Sequence, residues 1–410
     1  MSRRMRVGLG AVLVWALAVR LVLALSPALL DASDAFDYRR LGLSLASHAT
    51  YEEVIDDPNS AVNGIRFLAY RPPGYPVLRA ALFLFSSEDR PTAVVQAVLE
   101  TLAIALAFAL VRRMHGEREA LGAAAALATY AIWVPSLTTE SLTFFLWVSA
   151  AYLAFREGPA RGRGVLLGVV IGWAILTRPT SIALVFLLPF LPRPERLRVG
   201  GWALAATALI VGAWIARNWL VLGTPVLSTN AGIHMAISYG LGSLTDWGRM
   251  HHEGLGEAQI SSELSGRVRD AFLERPAAMW LEVLERAASF FVPTREDCFE
   301  LRMIETVGFV EHPAAFLPIA LARALAPIGY VLGWLALAVG AIRRDVLSRA
   351  LLGAVVAFAI AHCLASRVDL RLVAPVAPFL FLAAGSAIAR VHARASEALA
   401  LWSNRSPRPA

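Results

Sequence analysis

The chain has 410 residues, of which 57% are hydrophobic and only 17% charged, with a mean hydropathy of +0.59. Soluble domains carry about 25% charged residues, so two or three soluble domains of ~150 residues each are excluded, as are disordered, collagenous and disulfide-stapled chains. A polytopic membrane protein is left, and its net charge of +7 from 38 basic residues, every one arginine, points to cytoplasmic loops flanking apolar spans rather than to nucleic acid.

An apolar run of about 18 residues or more crosses a ~30 Å hydrocarbon core as a helix. The first such run is 7–25, read as a retained span rather than a cleaved signal peptide. A long outside segment, 26–90, follows it. There 34–46 carries Phe36, Leu41, Leu43 and Leu45 at positions that suit an amphipathic helix lying on the membrane. The turn-rich stretch 56–60 and the proline-bound stretch 71–76 come next. Spans are then expected over 91–111, 119–135 and 141–155. The run 164–191 is longer than one crossing needs, and Arg178-Pro179 divides it into two short helices, 164–177 and 180–191, forming a hairpin. After a span at 199–216 comes a second long outside segment, 217–313, with a polar stretch at 245–256 and a helical pattern over 258–291. Spans at 318–342, 350–365 and 372–389 complete the chain. The expected fold class is an all-α polytopic membrane protein with about ten transmembrane helices, give or take two. It forms one domain over 1–410, with functional outside loops at 26–90 and 217–313.

With residues 1–6 in the cytoplasm, the connections 112–119, 156–163, 193–198 and 343–349 and the tail from Arg390 fall inside. They are short and arginine-rich, whereas the acids gather in the longer outside segments. Both termini are therefore read as cytoplasmic. The lack of lysine fits a GC-rich bacterial genome and so a bacterial inner membrane.

The charges that stand at span edges on the outside face are the candidates for chemistry. Asp34 opens the acidic run Asp34-Ala35-Phe36-Asp37-Tyr38, either as an ordinary helix cap or as a working carboxylate. Arg71-Pro72-Pro73-Gly74-Tyr75-Pro76 fixes φ at three prolines and presents Arg71 rigidly; a snorkelling arginine is the alternative. Glu140 lies on an outside connection, as a cap or as a reacting group. Arg178 lies in an apolar stretch, where an unpaired charge costs a few kcal/mol. Arg217-Asn218 ends one span, and Arg367, Asp369 and Arg371 crowd the start of the last. Each arginine alone reads as a headgroup anchor, but several at one depth suit a phosphate, which guanidinium grips bidentately. His251-His252-Glu253 offers adjacent ligands that point different ways on a helix, so no metal residue is assigned and a divalent cation stays unsupported as a cofactor. His48 and His234 read as surface or packed residues. Glycine-rich nucleotide cradles do not occur in the expected context, and Cys298 and Cys363 read as free thiols, with a pairing on the outside as the alternative.

In order along the chain, these pieces resemble the GT-C superfamily of polyprenyl-phosphate-sugar-dependent glycosyltransferases. The branch they are most similar to holds the protein O-mannosyltransferases and the lipid A aminoarabinose transferase. Asp34-Ala35-Phe36-Asp37-Tyr38-Arg39-Arg40-Leu41-Gly42 resembles the motif after the first span, and Arg71–Pro76 resembles the basic-Pro-Pro-Gly-Tyr-Pro element. The stretch 135–140 is similar to a Pro-x-x-x-x-Glu connection, and Thr177-Arg178-Pro179 to an Arg-Pro turn. Trp214-Ile215-Ala216-Arg217-Asn218-Trp219 resembles a Trp-x-x-Arg-Asn segment, and Asp369-Leu370-Arg371-Leu372-Val373-Ala374-Pro375 resembles the start of a late span. The chain departs from family patterns at Ala35, where some members have a second acid, at Tyr70, where some have an acidic metal ligand, and at Leu372, where tyrosine is common.

The resemblance implies an inverting, single-displacement transfer of a sugar from a polyprenyl-phosphate donor to a glycan, lipid or protein acceptor outside the cytoplasm. Asp34 is the implied base, and Arg71, Arg217, Arg367 and Arg371 the implied phosphate ligands. Glu140 orients the acceptor or seconds the base, with Asp37, Tyr38, Arg178 and Asn218 in support. Two other readings stay open: a secondary transporter, whose charges would sit at mid-depth, and a non-catalytic GT-C-like subunit of envelope assembly.

Overall fold

The computed structural model describes residues 1–26, 33–57, 60–130, 136–192, 195–291, 313–366 and 374–403. Helix α1 (Arg3–Leu25) starts where the Ser2 side chain accepts from the Met5 amide at 3.2 Å, an ordinary N-cap. Outside the first span, α2 (Ser33–His48), the antiparallel pair β1 (Glu53–Val54) and β2 (Arg66–Phe67), and α3 (Gly74–Phe83) follow in turn. The bundle continues with α4 (Arg90–Met114), α5 (Glu117–Thr129), α6 (Glu140–Phe155), α7 (Ala160–Thr177), a 3₁₀ helix (Pro179–Phe190) and α8 (Arg196–Leu222). Helix α8 stops at Gly223, whose φ of 72° is the left-handed cap that glycine adopts without strain. Then come α9 (Asn230–Ser238), α10 (Leu244–His252), α11 (Glu257–Glu274) and α12 (Pro276–Phe291). The chain closes with α13 (Pro313–Ile342), α14 (Val346–Ala365) and α15 (Ala377–Ser403).

Every stretch read as a span overlaps a helix. Among the described residues, six helices are long and apolar enough to cross a membrane: α1, α4, α7, α8, α14 and the part of α13 from Ala320. Helix α6 and the 3₁₀ helix are apolar but shorter. The protein is a multi-pass membrane protein. Small residues let its helices meet closely, the packing that replaces hydrophobic collapse in lipid. A methyl group on Gly168 of α7 would collide with the Ala203 carbonyl of α8, and Gly122 of α5 meets Gly385 of α15 backbone to backbone.

The structure corrects the sequence reading in three places. The pattern over 258–291 is two helices, α11 and α12, because Pro276 lacks the amide that would continue the ladder past Arg275. The polar stretch 245–256 folds largely as α10, capped by Ser243, which accepts from the Asp246 amide. The segment after Arg178 is a 3₁₀ helix rather than an α-helix. The strand pair, α3 and α9 were not anticipated.

One polar chain runs through the bundle. Arg20 of α1 is fully buried, and its guanidinium donates through Nε to Glu100 of α4 at 2.8 Å. Its Nη1 and Nη2 reach the Leu127, Ala128 and Tyr130 carbonyls at 3.3, 3.3 and 2.9 Å, at the end of α5 where helical carbonyls run short of amide partners. The other Glu100 oxygen accepts from Ser141 at 2.7 Å. Ser141 accepts from Gln96 at 3.1 Å, and Gln96 in turn accepts from the Tyr75 hydroxyl at 2.7 Å.

Candidate active site

Asp34, Asp37 and Tyr38 fall on one face of α2 because positions three and four apart on a helix are neighbours. That face meets Arg71, which is only 7% exposed. Arg71 Nη2 lies 2.5 Å from Asp34 Oδ1 and 2.8 Å from Asp37 Oδ2, and its Nε lies 3.1 Å from the same Asp37 oxygen. The guanidinium also sits over the Tyr38 and Tyr70 rings at 5.5 and 5.0 Å, a cation–π arrangement that holds its plane. Tyr75, at the start of α3, meets the Tyr38 ring edge-on at 5.1 Å, so the buried polar chain ends directly beneath the site.

The backbone carrying Arg71 is clamped at each residue from 68 to 71. The Glu257 carboxylate accepts the Leu68 amide at 2.7 Å and the Ala69 amide at 3.2 Å, and it also takes the Thr229 hydroxyl. The Ala69 carbonyl accepts from the Thr229 amide at 2.9 Å and the Tyr70 carbonyl from the Asn230 amide at 3.3 Å. Tyr51 donates to the Arg71 carbonyl at 2.8 Å. Burial pushes the Glu257 carboxyl up, and these hydrogen bonds pull it back. Arg217 belongs to the same clamp. It donates to the Leu68 and Tyr51 carbonyls at 2.7 and 3.1 Å and lies over the Tyr51 and Trp214 rings. Asn218 accepts from Arg217 and donates to the Val226 carbonyl at 2.8 Å.

Arg178 caps the end of α7 and pairs with Glu140 at 3.3 Å. Glu140, in the first turn of α6, has no exposed side-chain surface and stands behind Arg178. Asp34, Tyr38, Arg71 and Arg178 line one cavity of about 620 Å3. Its far wall comes from α9, α11 and α14, with His234, Ser262 and His362 among its residues. Asp37, Glu140, Arg217 and Asn218 back this cavity without lining it. Arg367, Asp369 and Arg371 lie outside the described residues; Ser366, just before them, is on the cavity wall.

Sequence reasoning missed Glu257, Thr229, Asn230, Tyr51 and His362. An acid in the first turn of α11 looks like any helix start, and a histidine in an apolar run looks like packing. Indeed the His362 ring stacks on Phe358 at 5.5 Å while its helix borders the cavity. Among the described residues, no three His, Cys, Asp or Glu side chains converge. The carboxylates of Asp34 and Asp37 meet on the Arg71 guanidinium instead. That donor set, already centred on a cation, does not fit a divalent metal.

Behind the site, Glu53 of β1 is 1% exposed and accepts from Arg40 at 3.1 Å. Burial first, then the nearby Asp37 carboxylate, push its carboxyl up to about 8, against the pull of Arg40 and Arg71. A carboxyl raised in the fold favours the protonated form. Its contribution is complete below the ordinary value of 4.5 and is lost as pH rises to about 8. Glu53→Gln, which stays neutral, is expected to match the parent at pH 5 and to exceed its unfolding temperature by a margin that grows towards pH 9. A constant margin across that range would contradict the assignment.

Residues 71–221 match the family model of dolichyl-phosphate-mannose-protein mannosyltransferase. The whole chain superposes on the archaeal oligosaccharyltransferase AglB from Archaeoglobus fulgidus, solved with an inhibitory peptide and a dolichol-phosphate. The TM-score is 0.57 at 16% identity, over 100% of this chain and 53% of that one. The apo form of the Archaeoglobus fulgidus oligosaccharyltransferase matches with a TM-score of 0.56 at 18% identity, covering 98% of this chain and 52% of that one. The chain is thus similar to GT-C glycosyltransferases in the family match over residues 71–221 and in its fold. It spans about half the length of the oligosaccharyltransferases it matches, and at these identities the likeness is one of fold. No curated protein matches the chain by sequence.

Proposed function

We propose that the protein transfers a sugar from a polyprenyl-phosphate donor to an acceptor on the extracytoplasmic side of a bacterial inner membrane, as one transmembrane domain over 1–410 with both termini in the cytoplasm. The observation that carries this reading is the meeting of one carboxylate, Asp34, with two guanidinium groups, Arg71 and Arg178, on a single cavity. The match of residues 71–221 to a dolichyl-phosphate-mannose family supports a lipid-phosphate donor, as does the dolichol-phosphate in the AglB structure.

In this mechanism an acceptor hydroxyl or amine attacks the anomeric carbon from the face opposite the phosphate. Its proton passes to Asp34, the new bond to carbon forms as the carbon–oxygen bond to phosphate breaks, and the electron pair leaves with the lipid phosphate. One base and one displacement give inversion. Arg71 pairs with Asp34 in the resting site, then shares its charge with the phosphate as Asp34 takes the proton. Arg178, steadied by Glu140, adds the second cation. Positive charge fixed in advance where negative charge develops lowers the barrier without reorganisation. Arg217 and Asn218 act by holding the loop that carries Arg71, and Arg367 and Arg371 stay proposed phosphate ligands on the strength of the resemblance.

Purified protein in proteoliposomes, supplied with radiolabelled polyprenyl-phosphate sugars and membrane extract, is expected to move label from donor to acceptor and to release one lipid phosphate per sugar transferred. Label carried across the bilayer on an intact donor, without phosphate release, would replace the transferase with a transporter.

A further inference from the structure

Away from this site, α13 and α15 run in the same direction and touch at glycines. A methyl group on Gly329 would strike the Phe381 ring, and one on Gly333 the Leu380 backbone. Beyond that contact, Leu335, Val339, Ile388 and Val391 line the space between the two helices. The result is a cavity of about 530 Å3, open to the side. Its walls are apolar, and its far end carries Arg343, Arg390 and Arg394. None of these three guanidinium groups pairs with a carboxylate among the described residues; Arg390 makes only a 3.4 Å bond to the Ser386 carbonyl of its own helix.

Three other arginines on the same arginine-rich side are paired with carboxylates. Arg163 pairs with Glu195 at 2.7 Å, Arg113 with Glu157 at 2.5 Å, and Arg118 lies 3.8 Å from Glu397. An apolar slot that ends in three uncompensated cations is matched by a ligand with hydrocarbon at one end and anionic charge at the other.

We infer that the groove between α13 and α15 is a binding site for an anionic phospholipid of the cytoplasmic leaflet. The acyl chain lies along Leu332, Leu335 and Val339, and the head-group phosphate sits among Arg343, Arg390 and Arg394. Apolar burial supplies affinity for any phospholipid tail. The arginines supply the choice of head group, since basic residues at the membrane surface each favour anionic lipid. The inference does not depend on the transferase reading, because the groove lies apart from the cavity of Asp34 and shares no lining residue with it.

Native mass spectrometry of the full chain in detergent, titrated with phosphatidylglycerol or with phosphatidylcholine of the same acyl chains, tests it. Wild-type protein is expected to retain phosphatidylglycerol with about ten-fold preference. The triple substitution Arg343→Gln, Arg390→Gln, Arg394→Gln should abolish that preference while leaving tail binding. Ala387→Phe, which fills the groove without altering charge, should weaken both lipids. Glycerol phosphate, the head group alone, should not compete. Equal retention of the two lipids by wild type, an unchanged preference in the triple variant, competition by glycerol phosphate, or displacement by polyprenyl phosphate at lower concentration would each overturn the assignment.

Discussion

Asp34→Asn is expected to lower the transfer rate by about 10²–10⁴-fold, the usual contribution of a positioned base, with donor affinity changed only a few-fold. Asparagine keeps the shape of the side chain and can still accept from Arg71, and Asp37 holds that guanidinium from the other side at 2.8 Å. What is lost is the capacity to take a proton when the acceptor attacks. The deficit should therefore appear in kcat and not in KM for the donor. Wild-type rates in a well-expressed Asp34→Asn protein would remove Asp34 from the base role.

Replacing Glu100 by leucine is expected to cost about 3–5 kcal/mol of stability, the penalty of leaving a buried charge without its partner. Arg20 has 0% exposure and Glu100 2%, both on helices that cross the bundle, so no water can take over the role of the carboxylate. The loss reaches further than one ion pair. Tyr75, Gln96 and Ser141 each donate towards Glu100, and in such a chain each bond strengthens the next. Without the carboxylate, the Ser141 hydroxyl loses its acceptor and no longer fixes the Gln96 amide that donates to it. Tyr75, packed against Tyr38 under the site, then loses its anchor.

Replacing both Arg20 and Glu100 by leucine should cost less than the two single changes added together, a coupling of at least about 1 kcal/mol. Some cost will remain, because the carbonyls at the end of α5 lose the cation that satisfies them. Thermal unfolding in detergent of the four proteins measures the cycle. A Glu100→Leu protein as stable as wild type would show that the pair adds nothing to the fold.

Much of the molecule was legible in its residue order because lipid is a severe solvent. Backbone amides inside a bilayer must be satisfied within their own segment, so an apolar run is enough to announce a helix, and each of the expected spans overlaps one. The shared face of Asp34, Asp37 and Tyr38 follows from helical periodicity alone, and the rigid presentation of Arg71 from its prolines. The GT-C resemblance lies in the order of the motifs, and superposition on the oligosaccharyltransferase fold agrees with it.

The partners of each charge were settled only by packing across long sequence separations. Arg217 reads as a phosphate ligand in the sequence, yet the fold turns it to the Leu68 carbonyl, 149 positions away. Glu257 reads as a plain helix-start acid, yet it holds the amides before Arg71 from 188 and 189 positions away. Glu140 reads as a cap or as a reacting group at a loop edge, and the structure encloses it in the first turn of α6 behind Arg178. Arg20 lies within the first span, and its partners come from α4 and α5, which pack around it. Local pattern specifies helices because their hydrogen bonds are local. Whether a guanidinium faces a carboxylate, a carbonyl or an open cavity depends on which distant segments pack beside it, and in this chain that is decided by the tertiary structure.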